Sequence, residues 1–260
     1  MSAEPPSAAP PPRKRDKTKG IRGWLRARGK AFEAYVRGRS LVETTPLIPN
    51  ERFPWTAELE ANWKTIDAEL DALLAQRSAL PNIQDISPQQ MRITADDGWK
   101  TFFFHAYGSD SALARKLCPK TAAMLDRIPD LEVAFFSVLG PRGRIKPHSG
   151  GYPGLVRAHL GLKVPQPVGA ARMRVGDEMI RWEEGKVVVF DDTYRHEVWN
   201  DSDESRVVLL IDVHRPFRPV LAALNLAILR LGRLTSYVRD SKRKQREWEA
   251  SFAKRAAARS

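Results

Sequence analysis

Between residues 131 and 215 the chain is a succession of short segments in which apolar residues recur every second position. Turn signals such as Gly140-Pro141-Arg142-Gly143, Gly176-Asp177 and Glu184-Gly185 cut these segments apart. Side chains alternate between the two faces of a strand, so this patterning predicts strands at 131–139, 155–164, 172–175, 178–182, 186–191, 195–200 and 205–215, preceded by one at 100–107. Closely spaced antiparallel strands with polar turns predict a mainly β sandwich or barrel with flanking helices packed on one sheet.

The helical patterns lie on either side. Leu59, Trp63, Ile66, Leu70 and Leu73 recur at helical spacing over 56–77, with Thr56 placed to cap and Glu58 and Glu60 suiting the positive end of the helix dipole. Short helices are expected across 110–127, with Pro119 opening the second. A basic segment over 21–35 carries Trp24, Leu25, Phe32 and Tyr35, and its helical pattern is weakened by Gly23 and Gly29. Residues 220–234 form an apolar helical pattern studded with Arg230 and Arg233, followed by Lys242-Arg243-Lys244-Gln245-Arg246, Trp248 and Phe252. The organisation read from this is a disordered Pro-rich tail (1–20), a helical N-terminal region packed on the core (21–94), a strand-rich domain (95–216) and a basic helical extension (217–260).

Charge divides the chain the same way. The net charge is +12, yet residues 1–40 and 216–260 each carry 11 basic and 3 acidic residues, leaving the centre at −4. A mildly acidic centre and the lack of a recognised binding module make nucleic acid an unexpected partner. The start has no apolar run behind Arg13-Lys14-Arg15 and does not read as a secretory signal. The stretch Val220 to Leu229 is too short to span a bilayer. A lone cysteine, Cys118, fits a reducing compartment. The expectation is a cytoplasmic protein, soluble or peripheral at the inner face of the membrane.

Strand parity locates the chemistry. In 155–164 the even positions are apolar, which places Arg157, His159 and Lys163 together on the other face. In 206–214 the odd positions are Val, Leu, Ile and Val, which places Arg206, Asp212 and His214 together opposite them. A solvated sheet face would explain both patterns. The spacing of His148, His196 and Arg206 points elsewhere. Non-haem Fe(II) oxygenases hold their metal with two histidines, and usually a carboxylate two residues after the first, on a compact β-barrel. A basic residue about ten positions beyond the distal histidine commonly anchors a dicarboxylate cosubstrate in that class. Arg206 lies ten after His196, but Gly150 stands where the carboxylate would be.

The motifs Lys146-Pro147-His148-Ser149-Gly150, Leu155-Val156-Arg157-Ala158-His159-Leu160-Gly161-Leu162, Trp182-Glu183-Glu184-Gly185-Lys186, Phe190-Asp191-Asp192 and His196-Glu197-Val198-Trp199 occur in the order of the aspartyl/asparaginyl β-hydroxylase family, which residues 95–216 resemble. The resemblance implies a double-stranded β-helix of the jelly-roll or cupin-like kind, and a two-histidine iron site with glycine at the usual carboxylate position. By the same resemblance His148 and His196 match the Fe(II) ligands, and Arg206 matches the arginine that pairs with the distal carboxylate of 2-oxoglutarate. Arg157, His159 and Ser137 match positions lining the cosubstrate pocket. O2 is then the oxidant, and oxidative decarboxylation to succinate and CO2 accompanies hydroxylation of an unactivated C–H bond. Asp191 and Asp192 belong to the motif and are read as a turn or as hydrogen-bond partners of His196; His214 is read as a sheet-face group; His105 and Cys118 are read as structural.

The family's substrates include peptide aspartyl or asparaginyl residues, free amino acids and lipid acyl chains, those of lipid A among them. The few helices before residue 100 do not match the helical-repeat domain of the peptide-modifying relatives. A short apolar helix followed by basic residues, Trp248 and Phe252 is the composition of an interfacial segment that touches an anionic membrane; a helix packed on the barrel with a solvated basic tail is the alternative. A cupin-like binding module without catalysis, and a membrane-surface scaffold, are the non-enzymatic alternatives.

Overall fold

The alternation resolves into two antiparallel sheets in the computed structural model, which describes residues 28–29, 31–75, 80–94 and 97–257. The tail of residues 1–20, and Trp24 and Leu25 of the basic segment, lie outside the described residues; residues 31–37 are helical. Eleven strands are defined among the described residues: β1 (Leu47–Ile48), β2 (Trp99–Ala106), β3 (Ser109–Asp110), β4 (Leu131–Leu139), β5 (Arg144–His148), β6 (Leu155–Lys163), β7 (Ala171–Val175), β8 (Glu178–Arg181), β9 (Val187–Phe190), β10 (His196–Asn200) and β11 (Arg206–His214). The larger sheet has the order β1-β9-β6-β11-β4-β2-β3 and the smaller β5-β10-β7-β8. From β4 to β11 the chain winds back and forth between the sheets, so that each pairs strands distant in sequence. This is the double-stranded β-helix, or jelly roll, with two added strands on one edge of the larger sheet and β1 on the other.

Helices flank the larger sheet, most of them on its outer face, while Ile83 of the third joins the cluster between the sheets. They are α1 (Trp55–Ala61), α2 (Trp63–Leu74), α3 (Ile83–Ile86), α4 (Ala112–Leu117) and α5 (Pro119–Leu125). The helix predicted over 56–77 is thus two helices, broken at Asn62, whose side-chain amide donates to Glu58 O (2.8 Å). Thr56 lies inside the first helix and its hydroxyl donates to Phe53 O (2.8 Å) rather than capping. Ser111 caps α4 by accepting from the Ala114 amide (3.0 Å), and Pro119 opens α5.

Two apolar layers follow from parity. Val207, Leu209, Ile211 and Val213 of β11 join Val156, Ala158, Leu160 and Leu162 of β6 in one cluster with Leu59, Ile66, Leu70 and Leu73 beneath the helices. Trp99, Leu139, Ile145, Met173, Phe190, Val198 and Val208 fill the space between the sheets. Each fully buried side chain of this kind is worth about 1.5–3 kcal/mol. The polar face of β6 and β11 therefore points into the barrel and not into solvent: Arg206 is 1% exposed, His159 5% and Asp212 5%.

Lys163 is the exception to that parity. The β6–β11 ladder shifts between Val207 and Val208, so that Gly161 faces Val208 and Lys163 faces Val207. The bulge carries Lys163 to the helix side, where it pairs with Asp67 and Asp71 of α2 (2.8 Å each).

After β11 come α6 (Pro219–Gly232) and α7 (Ser236–Ala257). Trp248 and Phe252 of α7 are not interfacial. Trp248 meets Phe102 edge-on at 6.2 Å, and Phe252 is buried beside it. Among the described residues, no helix is long and apolar enough to cross a membrane.

Candidate active site

His148 ends β5 and His196 begins β10, and the antiparallel ladder sets the two residues opposite each other. Their ring centroids are 4.1 Å apart. Each ring is oriented by its own strand: Nδ1 of His148 bonds Lys146 O (2.8 Å) and Nδ1 of His196 bonds Tyr194 O (2.9 Å). A carbonyl only accepts, so each Nδ1 carries the proton and each Nε2 keeps its lone pair. Burial pushes the pKa of both imidazoles down, that of His196 to about 3 with help from the His148 ring and the Arg157 charge. Two adjacent neutral imidazoles are a donor set suited to a divalent transition metal. Among the described residues no group of three or more histidines, cysteines and carboxylates is placed to hold a metal ion; the pair His148 and His196 offers two nitrogens.

Position 150 explains why no carboxylate stands beside them. The Gly150 amide donates to Asp192 O (2.7 Å), and a Cβ built on Gly150 would fall inside the Asp192 carboxylate. Asp192 therefore occupies the space a third ligand's side chain would need. Its carboxylate faces Arg157 at 3.3 Å, and burial raises its pKa against the pull of that arginine. The Asp192 backbone, not its carboxylate, meets the His196 ring. Asp191 Oδ1 accepts from the Thr193 amide (3.1 Å) and hydroxyl (2.6 Å), a turn, while Oδ2 pairs with the fully buried Arg215 (2.7 Å).

The cationic residues divide into engaged and free. Arg157 is clamped by Asp212, with Nε at 2.7 Å and Nη2 at 2.8 Å from its two oxygens, so it holds its charge despite burial. Arg206, 1% exposed, has no acidic partner among the described residues, and its Nε and Nη1 bond nothing. Its guanidinium lies over the Trp182 ring at 4.6 Å, and burial pushes its pKa down to about 9. Both ring nitrogens of His159 are likewise buried and unpartnered, and burial beside Arg206 and Arg157 keeps that ring neutral. Ser137 completes the set. Trp99 Nε1 can only donate, so Ser137 Oγ accepts from it (3.0 Å) and retains its own proton for another acceptor. An unpaired buried guanidinium costs several kcal/mol, and a pocket that surrounds one with a neutral imidazole and a free hydroxyl is shaped for a carboxylate. The residues present thus fit both Fe(II) and a 2-oxo dicarboxylate.

All six residues singled out from sequence, Ser137, His148, Arg157, His159, His196 and Arg206, line one cavity between the sheets, together with Trp99, Met173 and Phe190. Trp99 was not legible as a site residue, nor was Asp212 as the clamp of Arg157, although its shared face with Arg206 was the available signal. His214 stands apart, donating from Nε2 to the Glu132 carboxylate (3.1 Å), which also pairs with Arg233 (2.6 Å). His105 bonds Asp110 (2.6 Å) across β2–β3, and Cys118 is buried in the outer core.

Likeness to characterised proteins agrees with this geometry. The ornithine lipid ester-linked acyl 2-hydroxylase of Rhizobium tropici is 39% identical over 207 residues, 80% of this chain and 74% of that protein. The human aspartyl/asparaginyl beta-hydroxylase is 31% identical over 163 residues, 61% of this chain but 21% of the human one. Human aspartate beta-hydroxylase domain-containing protein 2 is 30% identical over 185 residues, 67% of this chain and 48% of that one. The family model described as Aspartyl/Asparaginyl beta-hydroxylase matches residues 60–216, which run from the end of α1 through β2 to β11. A non-catalytic binding module is thereby set aside: the chain belongs to the aspartyl/asparaginyl β-hydroxylase family of 2-oxoglutarate-dependent dioxygenases, a family of hydroxylases.

Proposed function

We propose that this hydroxylase acts on the acyl chain of a membrane lipid, with Fe(II) held by His148 and His196 and 2-oxoglutarate anchored by Arg206. The observation that carries the substrate class is the extent of the likeness to the lipid hydroxylase. Its 207 aligned residues exceed the span 60–216 and so include helical segments flanking the catalytic core. The human aspartyl/asparaginyl beta-hydroxylase matches over about a fifth of its length.

Within this reading the chain's own residues have separable tasks. Arg206 supplies a fork of donors to the distal carboxylate, and the Trp182 ring beneath fixes its plane. Ser137 donates its remaining proton to the same group. Arg157 is held in place beside the histidines by Asp212 and Asp192, which counter its charge and leave Arg206 as the cation open to the cosubstrate. The Nδ1 bonds to Lys146 O and Tyr194 O hold the Nε2 lone pairs in one orientation. Iron, when bound, supplies the activation of O2 that couples decarboxylation of 2-oxoglutarate to hydroxylation of a C–H bond. Interior side chains such as Met173 and Phe190 keep bulk water away from the reacting carbon.

The test is a lipid and peptide mass profile of cells with the wild-type chain, with His148→Ala, and without either. A gain of one oxygen in an acyl chain, absent with His148→Ala, is expected. Oxygen gained on aspartyl peptides or free amino acids with lipids unchanged refutes the lipid assignment.

A further inference from the structure

Helix α6 (PVLAALNLAILRLG) is almost wholly apolar, yet it presents much of that surface to solvent. Val220 is 87% exposed, Leu224 50%, Leu231 66% and Leu234, just beyond its end, 68%. With Ala223 and Ala227 these residues recur at three- and four-residue steps and form one stripe along the helix. The opposite side is fixed to the protein by a buried Asn225, whose Oδ1 accepts from the Tyr152 hydroxyl (2.7 Å) and whose Nδ2 donates to Gly154 O (3.0 Å). Arg215 grips the same loop through Pro153 O (2.7 Å) while pairing with Asp191. That loop leads directly from His148 to β6, and Tyr152 lies four residues after the histidine, within about 14 Å of it even if fully extended.

The charges flanking the stripe in the chain are mainly basic, and the acidic neighbour of Arg239, Asp240, faces Arg243 (3.5 Å). Arg218, Arg230 and Arg239 are exposed around it, and none has an acidic partner among the described residues. Only Arg233, on the protein side, is neutralised, by Glu132. Apolar side chains bordered by uncompensated arginines complement the interface of an anionic bilayer, where hydrocarbon lies beneath negative headgroups. A helix of 14 residues is about 21 Å long, enough to lie in that interface and too short to cross it.

We infer that α6 is a membrane-docking helix, inserting Val220, Leu224, Leu231 and Leu234 into the surface of a bilayer containing anionic lipid and holding the mouth of the active site at headgroup depth. This deepens the lipid-hydroxylase reading and rests on it for its purpose, though docking is measurable without turnover. It assigns the contact to α6 and not to the aromatic residues of α7, which are packed in the core.

The test uses the full chain and vesicles of phosphatidylcholine with or without phosphatidylglycerol. Expected are flotation with the phosphatidylglycerol vesicles that weakens with salt, and a loss of about tenfold or more in binding for the double variant Leu224→Asp/Leu231→Asp. Arg230→Gln/Arg239→Gln should weaken binding to anionic vesicles. An environment-sensitive dye on Leu231→Cys should shift to the blue with vesicles, and the same dye on exposed Met91→Cys should not. Unchanged lipid-free turnover of 2-oxoglutarate by the aspartate variant confirms that it is folded. Retention of vesicle binding by that variant overturns the inference and assigns binding to the basic termini. So does a dimer that Leu231→Asp dissolves without any vesicle binding by the wild type. Docking through α6 with only peptide hydroxylation sinks the lipid reading alone; hydroxylation of detergent-dispersed lipid without docking sinks the inference alone.

Discussion

Replacing Gly150 by alanine tests whether Asp192 is what keeps a side chain out of the metal site. The new Cβ would enter the Asp192 carboxylate, about 1 Å or more inside the 3.5–4.0 Å optimum for non-bonded atoms. That carboxylate is the end of a short side chain, but it is not free to swing. Arg157 faces it at 3.3 Å, and the Gly150–Asp192 backbone bond of 2.7 Å fixes the two main chains against each other. Overpacking a fixed site costs about 1–3 kcal/mol, which in a domain of this size lowers the unfolding midpoint by about 2–4 °C per kcal/mol. Asp192→Ala removes the obstruction but leaves Arg157 with Asp212, whose bidentate bonds persist. The double variant Gly150→Ala/Asp192→Ala should therefore be more stable than the sum of the single losses by about 1–2 kcal/mol, a coupling well above the ~0.3–0.5 kcal/mol scatter of independent sites. Thermal or urea unfolding of the four proteins, metal-free, measures the cycle. Strict additivity would show that the two positions do not compete for one space.

Three further outcomes follow from named contacts. Arg206→Met should leave the metal-free protein as stable as wild type or more so, because it removes an unpaired buried charge, and should abolish the rise in melting temperature that 2-oxoglutarate produces; a large loss of stability without ligand would refute the assignment of Arg206 as a waiting anion site. Arg215→Ala should cost about 3 kcal/mol in chemical denaturation, the low end for a broken buried pair, since the fully buried Asp191 then keeps only the longer pairing with Arg37 (3.6 Å), and a loss under 1 kcal/mol would contradict that. For Glu132, burial raises the pKa but the bonds from His214 and Arg233 outweigh it, leaving the folded value below the ordinary 4.5. The stability this group contributes is thus fully present above pH 4.5 and is lost as pH falls through the lowered folded value. Glu132→Gln should flatten the acid limb of a stability–pH curve in that window, and an unchanged limb would refute the linkage.

The sequence disclosed the strands whose one face is uniformly apolar, β4, β6, β9 and β11, because a period of two survives wherever a face is buried. It did not disclose β5, although that strand carries His148. Arg144 and Lys146 alternate with a single apolar Ile145, and Pro147 argues against a strand except at a sheet edge, which is where β5 lies. Lys163 was placed on the wrong face because a bulge resets parity and leaves no mark in composition. Asn62 divides a helix that periodicity alone makes continuous. His148, His196 and Arg206 stood out by spacing, and Ser137, Arg157 and His159 by the family resemblance, whereas the tasks of Asp192, Asp212 and Trp99 depend on contacts across strands far apart in sequence. No local pattern encodes such contacts. Trp248 and Phe252 misled for a related reason: aromatic residues among charges suit an interface and a packed amphipathic helix equally well, and only the position of Phe102 decides between them.

The opposition of His148 and His196 across one β5–β10 register has a consequence for assembly. Residues 48 apart in the chain become neighbours only when the smaller sheet closes, and each ring is already oriented by a carbonyl two residues behind it. On the proposed assignment of iron to these rings, the pair of nitrogens exists only once β5 and β10 are in register, so iron uptake during refolding would report on that pairing.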